Sequence, residues 1–155
     1  MYEVKDGPRT LKFEGTLLGE STSWRHGSIR WIEFKLYRTV GGAYVLSRVG
    51  VSLVYHTSSC PLVDRYGLQE ADVDNLSDNA IPCPECLPTL YAPVVFPEKY
   101  RTWAMVSEDA EAVLDALYKY DDNYRYLTKV AERLLEQASE RDSALDQAYR
   151  IEVIL

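Results

Sequence analysis

The chain has 155 residues, of which 46% are hydrophobic, and a net charge of −7. This length and composition allow the chain to bury the core of a single domain. No segment approaches the 18 consecutive apolar residues that predict a transmembrane helix. The first ten residues are charged and lack the apolar stretch of a signal peptide, which predicts a cytoplasmic protein.

The charge is unevenly distributed along the chain. Residues 1–50 contain eight Lys/Arg and five Asp/Glu. Residues 51–100 contain two Lys/Arg and seven Asp/Glu, and residues 101–155 contain seven Lys/Arg and twelve Asp/Glu. The two acidic thirds argue against bulk binding to nucleic acid, because such binding depends on neutralising phosphates. The excess of basic residues in the N-terminal third is still compatible with a local basic face there.

An antiparallel β-meander is predicted over residues 11–56. Its strands are Leu11–Glu20, Ile29–Thr39 and Ala43–Tyr55, which are rich in β-branched and aromatic residues or alternate apolar with polar residues. The pair Gly41-Gly42 lies between the second and third segments and predicts a hairpin. The third strand ends at His56.

The strongest chemical signal begins at this strand end. One histidine and three cysteines share the spacing of metal ligands, with three, 22 and two residues between them: His56, Cys60, Cys83 and Cys86. One imidazole and three thiols are the ligand number of a closed tetrahedral zinc site. Pro82 and Pro84 favour a tight turn around the last pair. We therefore predict a structural zinc site.

Residues 57–97 form the predicted zinc-binding loop. This segment contains six prolines and few large apolar residues, apart from a short apolar run at Tyr91–Phe96 that predicts an edge strand. A structureless loop of this length is rare in a compact domain, so a metal that ties it together is expected. Free thiols, a redox pair and an iron–sulfur cluster are alternatives that fit less well. If His56 were not a ligand, three cysteines alone would leave a position open for a catalytic water.

Residues 105–149 are predicted to be helical. Ser107 is the expected N-cap of the first helix. The second helix is expected from Tyr124 to Ala138, where apolar residues recur every 3.6 residues. The charged pair Arg141-Asp142 predicts a break, and residues 150–155 predict a terminal strand or tail.

Together these elements predict one domain over residues 1–155 in the α+β class. Its architecture is an antiparallel β-meander with a zinc-pinned loop and a C-terminal pair of helices packed on one sheet face.

A surface for a partner is predicted on the second strand, and we call it the aromatic–basic face. It consists of Arg30, Trp31, Lys35, Tyr37 and Arg38. Tyr, Trp and Arg are common anchors of protein interfaces, but the same residues could stack single-stranded bases or pair across strands of a half-covered sheet. Four tyrosines form a second candidate protein contact, which could also be a packed junction between helices: Tyr118, Tyr120, Tyr124 and Tyr126.

Two segments resemble a known family. Phe13–Glu20, FEGTLLGE, and Leu36–Leu46, LYRTVGGAYVL, are similar to the sheet region of the EXLDI proteins, small uncharacterised proteins of actinobacteria and their plasmids. The resemblance implies a bacterial or mobile-element origin and no known activity.

The sequence contains no recognisable set of catalytic residues. We therefore expect a non-catalytic, zinc-stabilised protein-interaction module, such as a phage- or plasmid-encoded regulator, adaptor or inhibitor. The alternative is a nucleic-acid-binding protein that uses the basic and aromatic N-terminal sheet together with the zinc loop.

Overall fold

The computed structural model describes residues 1–88, 94–152 and 154. It confirms the α+β class, with antiparallel sheets followed by helices near the C-terminus. The chain forms two compact units, one of Met1–Ser23, Ile32–Val49 and Thr102–Leu155, the other of Trp24–Trp31 and Gly50–Arg101. The single domain over residues 1–155 stays a prediction. No helix in the described part of the chain is long and apolar enough to cross a membrane.

The strands are β1 Tyr2–Asp6, β2 Arg9–Phe13, β3 Gly15–Thr22, β4 Arg30–Thr39, β5 Tyr44–Ser52, β6 Val54–His56, β7 Ala71–Asp72, β8 Ile81–Pro82, β9 Val94–Pro97, β10 Tyr100–Ser107, β11 Lys119–Asp121 and β12 Tyr124–Tyr126. The helices are α1 Pro61–Tyr66, α2 Ala110–Leu117, α3 Lys129–Ser139 and α4 Ser143–Arg150, and a 3-10 turn covers Val73–Asn75.

The main sheet of the first unit has the strand order β10-β5-β4-β3. Strands β3, β4 and β5 correspond to the predicted meander, but its first strand, Leu11–Glu20, is divided at Glu14 between β2 and β3, and its third, Ala43–Tyr55, at Leu53 between β5 and β6. Gly42 has the positive φ of 93° that its hairpin requires. Strand β10 and the β1–β2 hairpin were not predicted. A bulge at Leu18 gives β3 an extra residue opposite β4, so Leu17 pairs with Tyr37 and Gly19 with Leu36.

Three helices cover one face of this sheet and form the core of the first unit. Leu36 and Leu46 of the sheet and Leu134, Leu135 and Leu145 of the helices are fully buried in one cluster. Helix α3 lies directly on β3, and a Cβ at Gly19 would stand 3.1 Å from the Leu134 carbonyl oxygen. The close approach of this helix therefore depends on a residue without a side chain.

The N-cap predicted at Ser107 is two residues early. Ser107 is the last residue of β10, and the Asp109 carboxylate caps α2 by accepting a hydrogen bond from the Glu111 N–H over 3.0 Å. The break predicted at Arg141-Asp142 is confirmed, because α3 ends at Ser139 and Asp142 caps α4.

The start predicted for the second helix is wrong. Tyr124 lies in the hairpin β11–β12, whose turn contains Asp122 at a φ of 51°. Helix α3 begins at Lys129 after the Thr128 cap, because Tyr124-Arg125-Tyr126 alternates as a strand does and only the residues beyond it follow a helical period.

The second unit contains a small sheet with the order β7-β9-β6-β8. The predicted loop 57–97 supplies α1 and three of these strands, so it is more regular than expected. Of the predicted edge strand Tyr91–Phe96, residues 91–93 lie outside the described residues, and Val94–Pro97 forms β9.

The predicted tail 150–155 begins one residue inside α4. Ile151 and Glu152 are exposed and belong to no helix or strand, and residues 153 and 155 lie outside the described residues.

Candidate metal centre

The small sheet of the second unit brings the two halves of the ligand motif together. Strands β6 and β8 run parallel, with Val54 opposite Ile81 and Tyr55 opposite Pro82. His56 ends β6 and Cys83 follows β8, so both residues leave the same edge of the sheet. The Cys83 N–H donates to the Tyr55 carbonyl over 2.9 Å, which fixes this register.

The other two ligands come from short turns after these strands. Cys60 is the residue that precedes α1, and Pro61 begins this helix. Cys86 closes the turn that starts at Cys83, and the Thr57 N–H donates to the Cys86 Sγ over 3.3 Å. The four ligand atoms thus arise from two segments, residues 56–60 and 83–86, with 22 residues between them.

The four side chains converge on one point. Their ligand atoms all lie within 4.8 Å of one another, and the Cys60 Sγ stands 3.4 Å from the His56 Nδ1. His56, Cys60 and Cys83 are buried, and Cys86 is half-buried. Ligands of a tetrahedral zinc ion with Zn–S bonds of about 2.3 Å lie roughly 3.8 Å apart, so a metal ion fits between these atoms after a small contraction.

The environments of the thiols differ. Burial raises the pKa of the Cys60 thiol. Burial also opposes ionisation of Cys83, but the backbone N–H groups of Cys86 and Glu85 donate to its sulfur and lower its pKa. Amides directed at a cysteine sulfur stabilise the thiolate, which is the form that binds metal.

The turn around Cys83 ends in an unusual conformation. The Leu87 N–H donates to the Cys83 carbonyl over 2.9 Å, and Leu87 has a φ of 47°. This left-handed backbone is costly for a residue with a side chain. The same turn directs the Glu85 and Cys86 amides at the Cys83 sulfur.

Behind His56 lies a group that we call the Glu98 shell, defined as Glu98, Arg30 and Arg101. The Glu98 side chain is 2% exposed, and its Oε2 lies 3.0 Å from the His56 Nε2. The Arg30 Nη2 donates to the same oxygen over 3.1 Å, and the Arg101 Nη2 forms an ion pair with the Oε1 over 3.0 Å.

Glu98 determines which nitrogen of His56 faces the cysteines. Burial works against the charged carboxylate, but the hydrogen bonds from His56 and Arg30 and the arginine charges outweigh it and lower the pKa of Glu98. An ionised carboxylate only accepts hydrogen bonds, so the His56 Nε2 carries the proton. The Nδ1 lone pair is then directed toward Cys60, as a metal ligand requires.

The aromatic–basic face does not form one exposed surface. The Tyr37 side chain is 5% exposed and packs against Tyr2 and Phe13 of the β1–β2 hairpin, with ring centroids 4.7 Å and 5.1 Å apart. Tyr37 is therefore buried and not exposed on this face, because the β1–β2 hairpin, which was not predicted, covers it.

The other members of the face have separate surroundings. Arg38 forms an ion pair with Asp142 over 2.5 Å in the first unit, where Lys35 is exposed. In the second unit Arg30 belongs to the Glu98 shell, and Trp31 lines an open cavity. That cavity of the second unit has a volume of about 440 Å³ and also contains Tyr100.

The second tyrosine cluster lies largely on the β11–β12 hairpin of the first unit. All six strand residues of this hairpin are exposed, including Tyr120, Tyr124 and Tyr126. Tyr124 and Tyr126 lie side by side with ring centroids 5.7 Å apart, and Arg125 stacks on Tyr118 at 4.2 Å. Exposed tyrosines beside an arginine are typical anchors of protein interfaces.

Sequence reasoning singled out the four residues that the structure brings together, and it missed Glu98 and Arg101. The chain has 24 acidic residues, and nothing in the sequence around Glu98 distinguishes it from the others. Only its position next to β9 and β10, which places it behind His56, reveals its role. Searches of protein-family models, curated proteins and solved structures found no match to this chain.

Proposed function

We propose that this protein is a non-catalytic protein-interaction module stabilised by a structural zinc ion. The observation behind the proposal is the convergence of His56, Cys60, Cys83 and Cys86, whose ligand atoms lie within 4.8 Å of one another. Three thiols and one imidazole suit zinc, and four protein ligands leave no position for a reactive water.

The metal would replace a hydrophobic core in the second unit. Among the described residues, the buried cluster around the site consists of Val54, Cys60, Val63 and Cys83, with the partly buried Leu62, Leu68, Cys86 and Phe96 packed against it. So small a cluster offsets little of the entropy lost by ordering the segment, which is the situation in which small domains use a metal.

For the partner we propose a protein that contacts the β11–β12 hairpin. The hairpin exposes Tyr120, Tyr124 and Tyr126 and contributes no residue to the buried core clusters of the described chain. A partner that buried these rings would gain the contact area typical of interface hot spots.

One observation counts against the nucleic-acid alternative. Arg30 and Arg38, two cations expected to contact phosphates, are paired with Glu98 and Asp142 instead. Binding to phosphate would have to break these pairs, which lowers the gain from each contact.

Two measurements test the proposal in sequence. Elemental analysis of protein purified without chelators is expected to give one zinc per chain, and absence of bound metal would contradict it. Affinity capture from the host lysate with nuclease present is then compared between wild type and Tyr120→Ser/Tyr124→Ser. We expect a protein partner that the wild type retains and the variant loses, while Tyr100→Ser, at a tyrosine that is 68% exposed in the second unit, serves as a control on another exposed site.

Partners that disappear after nuclease treatment, or binding to single strands that weakens steeply with salt, would favour the nucleic-acid alternative.

A further inference from the structure

The buried carboxylate behind the metal centre poses an electrostatic problem. Metal binding requires the three thiols to ionise, so a divalent ion with three thiolates and a neutral imidazole carries a net charge of −1. Glu98, which is 2% exposed and contacts His56, adds another negative charge to the same buried region. Two like charges held together out of water are strongly unfavourable unless they are balanced.

The two arginines supply the balance. Arg30 and Arg101 form ion pairs with different oxygens of Glu98, over 3.1 Å and 3.0 Å. The Glu98 shell therefore carries a net charge of +1, which matches the −1 of a divalent thiolate centre. Both guanidinium groups are about half-exposed, so solvent stabilises them when the metal is absent.

The shell also ties distant segments of the second unit to His56. Arg30 is 68 residues before Glu98, and His56 is 42 residues before it. A histidine ligand held in this way has one tautomer and one ring orientation before any metal arrives, which reduces the ordering required on binding.

From this geometry we propose that Glu98, Arg30 and Arg101 are positioning residues that orient the His56 Nδ1 toward the metal and balance the charge of a divalent thiolate centre. This inference rests on the proposed zinc site. It extends that site from four residues to seven and assigns it to divalent ions, because a monovalent ion would leave a buried net negative charge.

The test compares zinc affinities, measured by competition with a chromophoric chelator, for wild type, Glu98→Gln, Arg30→Gln and Glu70→Gln. Glu70 is a matched control: it is an exposed glutamate of the second unit outside the proposed site, and substitution to Gln removes the same charge. We expect Glu98→Gln to weaken zinc binding about 10- to 100-fold, the usual loss for a partner of a metal-bound histidine. Arg30→Gln is expected to weaken binding in the same direction, and Glu70→Gln to leave it near the wild-type value.

A second readout separates positioning from general stability. The ¹⁵N shifts of the zinc-loaded protein are expected to show His56 bound through Nδ1 with a proton on Nε2, and Glu98→Gln is expected to disturb this single tautomer. If Glu98→Gln and Arg30→Gln bind zinc as Glu70→Gln does, or if His56 keeps the same tautomer in Glu98→Gln, the inference is overturned. A wild-type protein that binds no zinc would instead overturn the proposed function itself.

Discussion

Substitution of Asp142 is the most quantitative test of what stabilises the first unit. Its side chain is 3% exposed and accepts three hydrogen bonds: from the Tyr44 hydroxyl at 2.7 Å, from the Leu145 N–H at 2.9 Å and from the Arg38 guanidinium at 2.5 Å. One carboxylate thus caps α4 and connects this helix to β4 and β5. We predict that Asp142→Ala strongly destabilises the protein.

The magnitude follows from the three contacts. Loss of the helix cap costs about 1 kcal/mol, and the buried Tyr44 hydroxyl left without its acceptor costs about 2 kcal/mol. The pair with Arg38 adds roughly 0.5 kcal/mol, because the arginine is 40% exposed and solvent replaces part of the interaction. The expected loss in the free energy of unfolding is therefore about 3 to 4 kcal/mol, which lowers the Tm of a chain of this size by about 10 °C.

Urea unfolding followed by circular dichroism measures this loss, and two variants act as controls. Asp142→Asn keeps an acceptor for the Leu145 N–H, so it is expected to lose less than half as much. Asp146→Ala removes an exposed carboxylate on the same helix, paired with Arg150 over 2.7 Å, and is expected to change the free energy by less than about 0.5 kcal/mol. Equal losses for Asp142→Ala and Asp146→Ala would refute the reasoning.

The same carboxylate predicts a pH dependence. Burial disfavours its charged form, but the three donors outweigh burial and lower the pKa of Asp142 below its ordinary value. Because the pKa is lower in the folded than in the unfolded state, the stabilisation is fully present above the unfolded value of about 3.9 and is lost as the pH falls through the folded value. The difference in unfolding free energy between wild type and Asp142→Asn should therefore shrink below about pH 4.

Two further predictions concern the second unit. Chelation of the metal is expected to abolish the hydrogen-exchange protection of backbone amides such as the Cys83 N–H. Without the metal, few apolar contacts would hold this segment in place. Unchanged protection after verified metal removal would contradict this prediction. Leu87→Gly is expected to stabilise this unit by about 0.5 to 1 kcal/mol, because Leu87 is 71% exposed and has a φ of 47° that glycine adopts without strain. Thermal unfolding of the zinc-loaded protein measures the change, and a destabilised Leu87→Gly would show that the leucine side chain matters more than the turn.

Local patterns in the sequence predicted much of the fold. The 3.6-residue period of Leu127, Ala131, Leu134, Leu135 and Ala138 predicted the buried side of α3, although its start was placed too early. The meander followed from alternation and from the Gly41-Gly42 turn. Such signals arise from contacts close in sequence or from one repeating burial pattern, and they are visible without a structure.

Long-range relations explain what could not be predicted. Tyr37 was expected on a surface, but it is buried because Tyr2 and Phe13 cover it, more than 20 residues away in sequence. The signal for their hairpin, Asp6-Gly7-Pro8 between two alternating segments, was present in the sequence and was overlooked. The contact between Glu98 and His56 cannot be predicted from the local sequence, because it depends on which strands become neighbours in the sheet.

The central claim is a closed site with one imidazole and three thiolate ligands. Zinc K-edge X-ray absorption of the purified protein tests it most directly, because it reports the number and kind of atoms bound to the metal. The account predicts one nitrogen at about 2.0 Å and three sulfurs at about 2.3 Å. A coordinated water or carboxylate oxygen, or fewer than three sulfurs, would contradict it and reopen the catalytic interpretation of the site.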